Sequence, residues 1–237
     1  MKKAPMGGLS KVAPGENGSL SWPTSISISW LLVISVLISC GPLQAQDDTR
    51  FDKVPASATE IEPLAVGETL PATALFDANG EPFDLEHAVF SKPTILIFYR
   101  GGWCPFCNMQ TGQLIKIEGQ LRELGYQIIA ISPDKPAKLK ASLEKWEMKY
   151  TLLSDSRMDA AIAFGIAYQV ADATVAKYSG TNMDLDLNSG QDHHLLPVPA
   201  VFIIGQDAKI KYEYINPDYK VRIEPDELLR VAKLFAY

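Results

Sequence analysis

The feature that most constrains this chain is an apolar run, Thr94-Ile95-Leu96-Ile97-Phe98-Tyr99, leading through Arg100-Gly101-Gly102 into Trp103-Cys104-Pro105-Phe106-Cys107. The run is rich in β-formers and has no polar alternation, so it reads as a strand buried on both faces. A segment with helical spacing follows Cys107. A Cys-x-x-Cys that opens a helix is an arrangement suited to redox chemistry. The unpaired N–H groups and partial positive charge of a helix N-terminus favour thiolate over thiol. A cysteine placed there can fall from a free pKa of about 8.5 to roughly 3.5–7.5. The second cysteine, one turn on, is close enough to close a disulfide. As a purely structural staple the pair is poor, because so short a loop stabilises little.

Composition narrows the alternatives. The chain has 237 residues, 47% of them hydrophobic, and a net charge of −6, which suits a globular domain with extensions rather than a disordered chain. The acidic balance and the lack of a Lys/Arg cluster argue against nucleic acid as partner. Only three cysteines occur, Cys40, Cys104 and Cys107, too few for a disulfide-stapled scaffold. There is no second Cys pair and no His-x-x-x-His to complete a zinc site, so neither a metal nor a cofactor is expected. His193-His194 reads as a pair of loop side chains, since neighbouring residues point apart and no third ligand is evident.

The chain begins with a Gly-, Ser- and Pro-rich stretch carrying Lys2, Lys3 and Lys11, then an apolar core, Trp30 to Ile38. That core is short of the roughly 20 residues a bilayer span needs, but fits the apolar region of an export signal. It ends Leu37-Ile38-Ser39-Cys40, which resembles a bacterial lipobox. Residues 1–39 are therefore expected to be an export segment, cleaved before Cys40 with lipid attached to that cysteine. Cleavage after Ala45 to give a free protein, and an uncleaved anchor, stand beside it. Each reading places the body outside the cytoplasm, where disulfide chemistry is permitted. Residues 40–60 read as a linker, and 61–237 as the globular domain.

Within that domain, Asn79-Gly80 separates two short strands. Leu114, Ile117, Leu121 and Leu124 form the core stripe of the helix after Cys107, which Gly125 stops. Strands are expected over 126–132 and 151–154, and a helix from Pro136 to about Glu147. Another helix runs from Ser156 to Phe164-Gly165, with Asp155 and Arg157 as capping surface residues. Residues 166–196 lose regularity and read as loops. A proline-led strand over 196–204, a hairpin partner over 209–214 and a last helix from Glu224 complete the pattern. Such βαβα alternation implies an α/β architecture, with a central sheet flanked by helices.

At this point a family resemblance is visible. Phe98 to Cys107, Leu196-Pro197-Val198-Pro199-Ala200 and Asn216-Pro217-Asp218-Tyr219 resemble the peroxiredoxin-like branch of the alkyl hydroperoxide reductase/thiol-specific antioxidant (AhpC/TSA) family. The resemblance covers roughly residues 61–236 and implies a thioredoxin-like fold with a mixed central sheet. It also implies a thiol-based peroxide reductase with a role in redox homeostasis. Cys104 would attack the peroxide, Cys107 would close a redox-active Cys104–Cys107 disulfide, and a thioredoxin-like donor would reduce it. The chain departs from the usual Pro-x-x-x-Thr-x-x-Cys of the family, with Ile97 and Gly101 at the Pro and Thr positions. Pro199 stands where the family usually has arginine and where thioredoxins have proline. The alternative is therefore an exported thiol–disulfide oxidoreductase, in which Pro199 shapes a groove and free Val198 backbone groups pair with an extended protein substrate. Trp103 is expected as a lid beside the thiolate. Arg100 is either a source of positive charge for the site or a solvated charge.

Overall fold

The computed structural model describes residues 54–146 and 148–236. The expected export segment, Cys40 and the linker up to residue 53 lie outside the described residues. No helix among the described residues is long and apolar enough to cross a membrane.

A seven-stranded sheet forms the centre, in the order β2-β1-β5-β4-β3-β8-β9. The three middle strands, β3 (Thr94–Phe98), β4 (Gln127–Ser132) and β5 (Thr151–Ser154), run parallel. Parallel neighbours need crossover connections, and α2 (Pro105–Glu123) and α3 (Pro136–Trp146) supply them. On one side β8 (Ala200–Ile204) joins β3 antiparallel and carries the hairpin partner β9 (Ile210–Ile215). On the other side β1 (Leu75–Phe76) pairs antiparallel with β5 and with β2 (Pro82–Phe83).

Side chains of successive strand residues point to opposite faces, and this divides the core in two. Ile95 and Ile97 join Leu114, Ile117 and Leu121 of α2, together with Leu228 and Val231 of α7 (Pro225–Leu234). Leu96 and Phe98 face the second cluster, with Leu85 and Val89 of α1 (Leu85–Ser91) and Ala160 and Ala161 of α4 (Asp159–Ala163). Phe98, Phe164 and Phe202 pack ring against ring at its centre, with centroids 4.9 to 6.1 Å apart. Both faces of β3 are covered, which accounts for its unbroken apolar run.

Most expected elements appear within a residue or two of their predicted bounds, and Gly125 ends α2 in a positive-φ turn. Three expectations need correction. The stretch 166–196 is not all loop: it holds β6 (Ala167–Gln169), α5 (Asp172–Tyr178), α6 (Leu185–Ser189) and β7 (Leu195–Pro197). These elements are too short to display a hydrophobic period, and their stability comes from docking. The single strand expected over 196–204 is broken at Val198-Pro199, so β7 pairs with β6 while β8 pairs with β3. Asp155 does cap α4, accepting the N–H groups of Ala160 and Ala161 at 2.9 and 2.8 Å, but it is buried rather than on the surface. His193 and His194 serve the local fold. His193 Nδ1 accepts the Leu195 N–H at 2.9 Å, and His194 Nε2 lies 3.0 Å from Asp186.

Candidate active site

The carboxyl ends of parallel strands are where open α/β sheets place their ligand crevices, and the cysteine pair sits there. The chain leaves β3 at Phe98 and turns through Gly101, at φ 141°. A Cβ added at Gly101 falls against Trp103 Nε1, and 2.8 Å from Asp134 Oδ1, so no larger residue fits this turn as built. The Gly102 N–H then donates to Asp134 Oδ2 at 2.7 Å, which ties the turn to the end of β4.

Cys104 is the N-cap of α2, with Pro105 in the first turn, where a missing N–H costs nothing. Its carbonyl accepts the Asn108 N–H at 3.0 Å, and its own N–H donates to the Gly101 carbonyl at 3.1 Å. Both cysteines are free thiols and both are buried, Cys104 at 1% exposure and Cys107 at 2%. Their titrations are pushed apart. A hydrogen bond from the Cys107 thiol, opposed by burial and helped by the Cys107 N–H, Arg100 and Arg222, brings Cys104 down to about 6. Burial and the hydrogen bond to Cys104 hold Cys107 well above the ordinary thiol range. The direction is therefore a charge favoured on Cys104 and a proton favoured on Cys107.

Arg100 is not solvated; it is 3% exposed. Its guanidinium carbon lies 4.1 Å from the Tyr219 ring centroid and 5.3 Å from that of Trp103, and the Tyr178 side chain hydrogen-bonds it. Cation–π contact of this kind suits a desolvated guanidinium. Trp103 is half-buried, edge-on to Tyr178 with centroids 6.0 Å apart, and is therefore a wall of the cluster around Arg100. Phe106 meets Tyr219 in the same manner at 5.6 Å. Pro199 is buried just before β8, and the register that sets Phe98 opposite Ala200 brings it beside the Tyr99–Arg100 end of β3. The expected free Val198 backbone is corrected here. Val198 is fully buried and its N–H donates to the Ile166 carbonyl at 2.8 Å, so it is already paired within the chain.

Sequence reading missed three contributors. Asp134 is 1% exposed, and burial pushes its carboxyl up to about 6, against the pull of the Gly102 N–H and Ser132. Its place directly after a buried parallel strand is a signal that points to it. Arg222, between β9 and α7, directs Nη2 at Cys107 Sγ from 3.4 Å, and nothing in its sequence neighbourhood marks it. Tyr178, on α5 in the stretch taken for loops, is the third. Among the described residues no cluster of His, Cys, Asp or Glu is arranged to hold a metal.

Residues 66–213 match the profile of the AhpC/TSA family. The chain is 35% identical over 106 residues to the Bcp protein of Haemophilus influenzae, spanning 45% of this chain and 68% of the relative. It is 33% identical over 107 residues to peroxiredoxin Bcp of Escherichia coli, spanning 45% of this chain and 67% of that protein. Among solved structures, peroxidoxin BcpB of Mycobacterium tuberculosis superposes with a TM-score of 0.56 at 21% identity, covering 73% of this chain and 99% of the other. A peroxiredoxin 6 of Arenicola marina gives a TM-score of 0.58 at 22% identity, covering 72% of each chain. These structural likenesses carry the fold, and the sequence matches carry the family. The chain belongs to the AhpC/TSA family, in its peroxiredoxin branch, and is a thioredoxin-fold oxidoreductase of the peroxidase type.

Proposed function

We propose that Cys104 is the thiolate that reduces peroxide and Cys107 the thiol that closes the disulfide. The observation that carries this reading is the convergence on Cys104 of the Cys107 thiol, the Cys107 N–H and two guanidinium groups at the mouth of α2. Cys104 sulfur attacks the distal peroxide oxygen, the O–O bond breaks, and the alkoxide or hydroxide leaves with a proton. Cys104 is then a sulfenic acid. Cys107 sulfur displaces its hydroxyl as water, forming the Cys104–Cys107 disulfide. A dithiol donor of the thioredoxin type restores both thiols by exchange through a mixed disulfide. Arg100, Trp103 and Pro199 shape the pocket.

Two features favour peroxide over a protein disulfide as oxidant. Cys104, 1% exposed, is accessible to a small oxidant far more readily than to a folded partner. The Val198 N–H, which an extended substrate backbone needs, is taken by Ile166. In the same reading, residues 1–39 export the protein and Cys40 carries lipid, so the domain works in the cell envelope and helps maintain redox balance there. Stopped-flow mixing of the reduced protein with hydrogen peroxide, followed by tryptophan fluorescence, tests the central claim. Rapid stoichiometric oxidation, abolished by Cys104→Ser, is expected. A rate no better than that of a free thiol, beside fast reaction with a disulfide, refutes it.

A further inference from the structure

Arg222 lies outside the residues matched by the family profile, 66–213, and its surroundings are unusual. It is 8% exposed, yet Nε and Nη1 have no hydrogen-bond partner, and no carboxylate pairs with it among the described residues. Among the described residues, its hydrogen-bond contact is Nη2 to Cys107 Sγ at 3.4 Å. A buried guanidinium left this open is costly unless an anion comes to meet it. The Cys104 thiolate attracts it, and Cys107, the sulfur in direct contact, is the neighbouring atom able to become a second anion beside it.

We propose that Arg222 is a positioning residue that turns Cys107 into a nucleophile only after Cys104 has reacted. Burial, the largest cause, favours the proton on Cys107 in every state; in the reduced state the Cys107 thiol also donates to the Cys104 sulfur, whose charge opposes a second negative charge beside it. Once Cys104 is a sulfenic acid or a mixed disulfide, that charge is gone and so is the strong hydrogen-bond acceptor. Arg222 remains, and its charge then stabilises the Cys107 thiolate. The other groups that face Cys107 do not reverse this. They are the Arg100 backbone N–H, which favours the thiolate, and Tyr99 at the end of β3, whose own ionisation burial suppresses. Besides the two cysteines, the Arg100 guanidinium and Tyr214 act on Arg222 electrostatically, the first lowering its pKa and the second raising it. In the condensation, Cys107 sulfur bonds Cys104 sulfur, the S–O bond breaks, and the Cys107 proton leaves with the hydroxyl as water. Cys107 is thus kept from competing with Cys104 for oxidant.

The inference rests on Cys104 as the first nucleophile, and its test avoids peroxide so that the two claims fail separately. In a Cys40→Ser background, the reduced protein is mixed with one equivalent of a chromogenic aromatic disulfide. Cys104 releases one dye thiolate, then Cys107 attacks the mixed disulfide and releases the second. Arg222→Met removes one of the two guanidinium charges that favour the Cys104 thiolate, so the first phase should slow too, but by less than the second. The second should slow by at least about tenfold, with its pH midpoint moved to higher pH, because each pKa unit is tenfold in thiolate. Arg222→Lys should recover most of the rate and the midpoint. A second phase unchanged in rate and pH profile overturns the proposal. A measurement that needs no change at Arg222 is the titration of Cys107 in Cys104→Ser, read by alkylation and mass spectrometry. Its pKa should fall below that in the reduced native protein, and a value equal or higher also overturns the proposal. Two dye phases with these dependences in a protein inert to peroxide would leave Arg222 its role and remove the peroxidase reading.

Discussion

Asp134 offers a prediction that runs against the usual expectation for a residue beside an active site: Asp134→Asn should stabilise the protein at neutral pH. The carboxyl is fully enclosed; Oδ2 holds the Gly102 N–H at 2.7 Å, and Oδ1 has no partner. Burial lifts its pKa from 3.8 to about 6, a rise of about two units, which at 1.36 kcal/mol per unit is about 3 kcal/mol against the charged form. The sign follows from proton linkage. Between the unfolded value and about 6 the folded state holds the proton and the unfolded state has lost it. Stability from this group is therefore complete below about pH 4, falls as pH rises to about 6, and stays low above. Asparagine can keep the bond from Gly102 through its carbonyl and has no charge to desolvate. Urea unfolding under reducing conditions at pH 4, 5, 6 and 7 measures the difference between variant and native protein. It should be near zero at pH 4 and grow to between about 1 and 3 kcal/mol in favour of the variant at pH 7. The Cys104 titration moves stability the opposite way above pH 6, but it is common to both proteins and largely cancels. A difference that is flat with pH, or that favours aspartate at pH 7, refutes the reasoning.

Two further outcomes follow from the site geometry. Cys107→Ala removes the thiol donor that contributes most to lowering Cys104, so the midpoint of Cys104 alkylation should rise from about 6 by about 1–2 units, as for a hydrogen bond to a charged group worth roughly 1.5–3 kcal/mol; an unmoved midpoint contradicts the assignment. Gly101→Thr installs the family's common residue where φ is 141° and where a Cβ meets Trp103 and Asp134. It should cost roughly 2–4 kcal/mol in urea unfolding and should not raise the rate with peroxide; an unchanged unfolding midpoint would show that the turn relaxes freely.

Legibility in the sequence followed the strength of local periodicity. β3, β4 and α2 were readable because their apolar patterns are long and both faces of the central strands are buried. Short elements such as α5 and β7 carry too few residues for a period to show, and they are fixed by what they dock against. The split of the proline strand into β7 and β8 depends on β6, which arrives from elsewhere in the chain to pair with Leu195–Pro197. Just beyond that pairing the Val198 N–H goes to the Ile166 carbonyl, which withdraws the donor that a protein-disulfide groove would use.

By itself the sequence determined that two cysteines open a helix at the end of a buried strand, in an α/β domain of a recognisable family. Spacing is enough for that, because strand, turn and helix are local. Which charged and polar groups surround the two sulfurs, the tertiary structure alone decided. Arg100, Asp134 and Arg222 come from the ends of three different strands or loops, and their effect on the thiols depends on burial and on separations of a few ångströms. Coulombic and desolvation terms at such distances are set by packing, not by order along the chain.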